Sequence, residues 1–140
     1  MNADFDIPEC RALGRWMQSE LDVVETFKLA LERLEPTADV QHAREVMAEH
    51  AAHALELRES LRTLGRVDVD KEHAHACTVE RLEMFKLPTE ELLPALLANE
   101  RRRLAAYEAA VSSTKLPPRV AELLRQSIAA EARHIARLTR

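Results

Sequence analysis

The sequence predicts an all-α protein, an antiparallel four-helix bundle of two hairpins joined by one long crossover that contains a short helix. Three observations predict it. Only 2 of the 140 residues are Gly, and Phe, Tyr and Trp number 3, 1 and 1, so the chain depends on helix propensity and leucine packing rather than on sheets. Four segments repeat apolar residues at helical spacing. The joints between those segments run short, long, short, which decides how the helices connect.

Pro8, suited to a first helical turn, opens helix 1, and Pro36 stops it after Glu35. Thr37 or Asp39 caps helix 2, which runs to about Leu64 and closes on Gly65. The connection from Gly65 to Pro88 begins extended at Arg66-Val67-Asp68-Val69-Asp70 and holds a short helix around Ala74 to Phe85. Thr89, with Leu92, Leu93 and Leu96 behind it, starts helix 3, which ends near Ser113; Pro94 marks an irregularity about its first turn. Lys115-Leu116-Pro117-Pro118 makes a tight turn, and helix 4 runs on to about Leu138. Short joints make hairpins of helices 1 and 2 and of helices 3 and 4, while the long connection can cross the bundle's length. Residues 1–140 are expected to form one domain, large enough to bury a core.

Composition also narrows the partners. The formal charge is −4 with acids and bases interspersed, so no basic face awaits a phosphate backbone and no nucleic-acid partner is expected. No run approaches the ~18 apolar residues that span a membrane, and no membrane partner is expected. Met1 to Glu9 carries Asp4, Asp6 and Glu9 and lacks the apolar stretch of a secretory signal. Cys10 and Cys77 stand far apart outside any CxxC pattern, as free thiols of a reducing compartment do, and the cytoplasm is the expected address.

Each helix breaks its apolar stripe once, with groups that ligate metals. In helix 1, Glu20 lies in the middle of Leu13, Trp16, Met17, Val24, Phe27, Leu31 and Leu34. In helix 2, His50 is central, with His53 one turn on along the same face. Glu100 is central in helix 3, and Glu131 in helix 4 with His134 beside it. Heights match as well. Glu20 and His50 lie about fifteen and thirteen residues from the turn near Pro36, and Glu100 and Glu131 about fourteen from theirs, which means equal height in antiparallel hairpins.

An isolated buried carboxylate costs several kcal/mol, against a total stability of roughly 5–15 kcal/mol. Three at one level also repel one another. They persist if protonated, paired with bases or neutralised by cations, and mixed carboxylate and imidazole donors suit Fe, Mn and Zn. A hydrogen-bonded Glu/His network without metal is the competing explanation.

The pattern resembles the ferritin-like carboxylate proteins, in which two helices each give a Glu and two give Glu-x-x-His. Glu20, Glu100 and Glu131-Ala132-Arg133-His134 match as they stand. Leu104-Ala105-Ala106-Tyr107-Glu108-Ala109-Ala110 followed by Leu116-Pro117-Pro118 is also similar to small bacterial ferritin-like proteins of unknown function associated with stress. The resemblance implies iron or manganese, one or two ions per chain, and oxidation of ferrous iron or reduction of dioxygen or peroxide. It implies Glu20 and Glu100 as terminal ligands, Glu131 as the bridge, and His50, His53 and His134 as nitrogen ligands. Helix 2 departs from it, since His50-Ala51-Ala52-His53 stands where Glu-x-x-His is expected. With neutral imidazoles the three carboxylates carry −3, so two divalent ions leave the site at +1. Dinuclear, mononuclear and vestigial sites all remain open. Glu49, about 100° off the central direction, is expected to help only if helix 2 distorts.

Other residues have plainer readings. Tyr107 faces inward about 10 Å from Glu100 along the axis, as a core residue with a satisfied hydroxyl or as an electron relay. His73, His75 and Cys77 alternate, which suits a metal on an extended segment and a solvated surface on a helix. Arg103 is expected to lean inward to a carboxylate, with Arg101 and Arg102 solvated, and His42, Glu45 and Glu56 read as surface. The rival functions are a non-catalytic bundle that forms a homodimer or binds a partner, for which Leu21, Leu29 and Leu55 offer an apolar edge, and a structural zinc site.

Overall fold

The computed structural model describes residues 7–63, 83–113, 116 and 118–139. Regular structure among them is helical throughout, with no strand. Four helices carry the fold: α1 (Ile7–Leu31), α2 (Ala38–Thr63), α3 (Leu92–Ser113) and α4 (Pro118–Leu138), with a 3₁₀ turn at Thr89–Glu91 leading into α3. The expected Gly65 cap, most of the crossover helix around Ala74 to Phe85, the His73/His75/Cys77 group and most of the Lys115–Pro118 turn lie outside the described residues.

The ends of the elements follow local chemistry. α1 stops at Leu31, four residues short of the expected Glu35. Beyond it the backbone bonds tighten from Glu32 N to Lys28 O (3.1 Å) to Arg33 N to Ala30 O and Leu34 N to Leu31 O (both 3.2 Å). This winding-down comes before Pro36, which disfavours a helical conformation at Glu35. Thr37, not Asp39, caps α2, its Oγ1 accepting a hydrogen bond from Val40 N at 3.2 Å. At α3 the irregularity expected from Pro94 takes the form of the 3₁₀ turn. Pro94 has no N–H to return to Glu90 and its ring crowds that carbonyl, so the α-ladder starts beside it rather than at Thr89. Arg33 then ties the end of α1 to this region, donating to Met84 O at 2.8 Å and Leu87 O at 2.6 Å.

α1 packs chiefly on α2, and α3 on α4; smaller contacts of α2 with α4 and of α1 with α3 and α4 join the pairs. The apolar core is divided in two. One cluster gathers Leu13, Trp16 and Met17 from early α1, Leu57 and Leu61 from late α2, Tyr107 from late α3, and Val120 and Leu124 from early α4. The other gathers Val23, Phe27 and Leu31 from later α1, Val40 and Val46 from early α2, Met84, and Leu92 and Leu96 from early α3. Along each helix, the residue between its two apolar stretches is polar: Glu20, His50, Glu100 or Glu131, each fully or almost fully buried. Val23, rather than the expected Val24, is the buried valine of α1, and Ser127 is buried in the α4 stripe.

Candidate metal centre

The four helices each bring one polar side chain to the level between the clusters, and His50 stands at its middle. Its Nδ1 lies 2.5 Å from Glu20 Oε2, and its Nε2 lies 2.8 Å from Glu100 Oε1 and 3.3 Å from Glu131 Oε1. One imidazole from α2 therefore touches carboxylates from α1, α3 and α4. The His134 ring packs 5.0 Å from the His50 ring, with its Nδ1 3.5 Å from Glu100 Oε1 and 3.9 Å from Glu131 Oε1. On the other side, His53 Nδ1 lies 3.5 Å from Glu20 Oε1.

All six residues expected from the sequence thus come together. They fall into two groups that share His50: His50, Glu100, Glu131 and His134, and Glu20, His50 and His53. Within each group the donor atoms lie within 4.8 Å of one another, close enough to hold a metal ion.

Electrostatics divides the carboxylates. Burial raises every one of them, but hydrogen bonding to His50, the approach of His53 and the charge of His50 outweigh it for Glu20, which is held at about 2. Glu100 is likewise buried, yet His134 and His50 hold it well below the ordinary carboxylate range. Glu131 goes the other way: burial and the charges of Glu100 and Glu20 raise it, despite His134 and His50. Burial opposes charge on the imidazoles, but Glu100 and Glu20 push His50 up to about 10, and Glu100, Glu131 and Glu49 push His134 up to about 9. At neutral pH the imidazolium ions of His50 and His134 therefore balance the ionised carboxylates of Glu20 and Glu100, and Glu131 is the carboxylate whose ionisation is pushed up.

The balance leaves atoms over. Glu20 Oε1, His53 Nδ1, both oxygens of Glu131 and His134 Nδ1 are buried at this level without a hydrogen-bond partner. A buried unsatisfied polar group costs about 1–3 kcal/mol, more when charged, so such a concentration at one level calls for an explanation.

Two residues outside the expected set complete the surroundings. Arg103 leans inward as expected, its guanidinium 3.3 Å from Glu100 Oε2. Glu49 belongs to neither donor group, but it touches the site at His134 without any distortion of α2, a regular α-helix. The reach comes from α4, where His134 Nε2 lies 2.8 Å from Glu49 Oε1 and Arg137 lies 3.2 Å from Glu49 Oε2 and 3.5 Å from Glu45. The signal was present in the sequence as matched edges, Glu45 and Glu49 one turn apart on α2 facing His134 and Arg137 one turn apart on α4. By engaging Nε2, Glu49 leaves Nδ1 of His134 turned toward Glu100 and Glu131, the orientation that a carboxylate behind a ligating histidine imposes. A Glu49→Gln variant is expected to bind metal about 10–100-fold more weakly by chelator competition, with unchanged stoichiometry at saturation.

Tyr107 belongs to the core as expected, its ring edge-on to Trp16 at 6.1 Å between centroids. Its hydroxyl is buried beside Ser19, in a contact outside ordinary hydrogen-bond geometry. Burial, and next the charge of Glu20, push its ionisation far up, so it stays a neutral phenol.

No protein family, curated protein or solved structure matches the chain in comparisons with each.

Proposed function

We propose that this chain is a ferritin-like metal-binding protein whose residues 1–140 form one domain of two antiparallel hairpins joined by the long crossover. Its ligands are Glu20, His50, His53, Glu100, Glu131 and His134, and its metal is iron or manganese, one or two ions per chain. The observation that carries the reading is the set of buried, unpartnered donor atoms on Glu20, His53, Glu131 and His134 around His50. A divalent cation satisfies them together and offsets the crowding of Glu20, Glu100 and Glu131. The donor set fits, since three carboxylates and three imidazoles are the oxygen and nitrogen ligands these metals take. Bound there, the metal supplies redox chemistry toward ferrous iron, dioxygen or peroxide. The chain's own residues would hold it and exclude bulk water through the two apolar clusters.

The test is elemental analysis of protein purified without chelator or affinity tag, repeated after anaerobic ferrous loading. Two iron or manganese per chain supports a dinuclear centre, and one a mononuclear centre. No metal under either condition overturns the reading. It would favour the second one, a partner-binding or dimerising bundle with a metal-free network, which the two short His50 hydrogen bonds support.

Metal binding should also release protons. His50 and His134 carry theirs at neutral pH because their values are raised to about 10 and about 9. A metal must displace them, so affinity falls as pH falls, and about two protons leave per loaded chain near pH 7. Loading weakly buffered protein with an indicator dye measures this directly.

A further inference from the structure

A cavity of about 40 Å³ lies beside His53, lined among others by Trp16, Glu56, Ser60, Gln126 and Ser127. A water needs roughly 10–15 Å³ by such a measure, so the space takes a few waters or one partly dehydrated ion. Its lining is suited to that content: a carboxylate, an amide and two hydroxyls, with the buried indole N–H of Trp16 lacking a hydrogen-bond partner.

Among the described residues, the cavity meets the candidate centre at its most exposed ligand, His53. The side chain of His53 is 22 % exposed, whereas those of Glu20, His50, Glu100, Glu131 and His134 are at most 1 % exposed. His53 Nδ1 and Glu20 Oε1 face each other at 3.5 Å and satisfy no other partner, so an imidazole and a carboxylate stand in sequence between cavity and centre. On the α3 side, by contrast, Arg103 stands over Glu100 and opposes a cation. Charge of one sign at a narrow opening selects what enters it.

We infer that a divalent transition-metal cation reaches the centre through this cavity, exchanging water first for Glu56 and then for His53 and Glu20. This rests on the metal-binding reading above and adds the route of loading to it.

Stopped-flow absorption of cobalt(II), added alone to the full chain, tests the route. Glu56→Lys inverts the charge at an exposed lining position, and Ser127→Leu fills the cavity; both keep all six ligands. Glu108→Lys, an exposed α3 position outside the lining, controls for net charge. Loading is expected to slow about tenfold in Glu56→Lys and by a similar factor in Ser127→Leu, with wild-type cobalt content at the endpoint. Glu108→Lys is expected to load at the wild-type rate. If Ser127→Leu does not fold, Glu56→Lys against Glu108→Lys decides the matter. Unchanged rates in the cavity variants, or equal slowing in Glu108→Lys, overturn the route while leaving the metal site standing. Absence of cobalt uptake by the wild type overturns the site and the route together.

Discussion

A Glu131→Ala variant is expected to lose metal at concentrations that saturate the wild type, with affinity reduced by more than about a hundredfold, beyond the effect of changing an outer partner. Glu131 offers two buried oxygens that no donor satisfies, so it contributes ligand capacity and little hydrogen bonding to the fold. Its removal also relieves the repulsion from Glu100 and Glu20 that raises its own ionisation. The melting temperature of metal-stripped protein should therefore change little, while metal per chain falls to background by elemental analysis. A variant that retains wild-type metal content would show that Glu131 is no ligand.

His50→Leu is expected to do the reverse in metal-stripped protein, destabilising it by about 3–5 kcal/mol in urea unfolding near neutral pH. His50 is the base that compensates both Glu20 and Glu100, each of them 0 % exposed. Without it Glu20 keeps only His53 at 3.5 Å, Glu100 keeps Arg103 at 3.3 Å and His134 at 3.5 Å, and a leucine of similar bulk replaces neither short bond. The pH dependence follows from the signs. His50 is raised from 6.5 to about 10, so its contribution is complete below about pH 6.5 and lost as pH rises through about 10. Glu20 is lowered from 4.5 to about 2, so its contribution is complete above about pH 4.5 and lost as pH falls through about 2. The stripped wild type should therefore be most stable between those limits. In His50→Leu, burial instead raises Glu20 and Glu100, so the variant should regain stability on acidification as they take up protons. A flat profile in the variant would mean that His50 does not bear the charge assigned to it.

Periodicity made all six candidate ligands legible, five of them because a Glu or His near the centre of a leucine stripe has nowhere to go but inward. The buried positions of Glu20, His50, Glu100, Glu131 and His134 agree with that expectation. His53 sits one turn along the same face and is only partly covered, as a position nearer the helix edge should be. Glu49 was not legible from its own helix: it points between α2 and α4, and its role depends on His134 reaching out to it. The apolar stripe of a single helix carries no trace of such cross-helix pairs. Thr26 escaped for another reason, since its hydroxyl donates to Asp22 O within α1 at 2.8 Å, so a polar residue can be buried there without any tertiary partner. The turn at Pro94 was legible in kind but not in form, because a missing N–H says where an α-ladder cannot run, not what replaces it.

The division of the core also bears on how the molecule comes apart. Leu13, Trp16 and Leu61 on one side and Phe27, Val46 and Leu96 on the other belong to clusters with no member in common. What joins them is the helical backbone and one layer of charge. Hydrophobic burial can therefore be gained in two instalments, and all-or-none unfolding depends on how firmly that layer holds. A cation held there would bear on cooperativity as well as on stability.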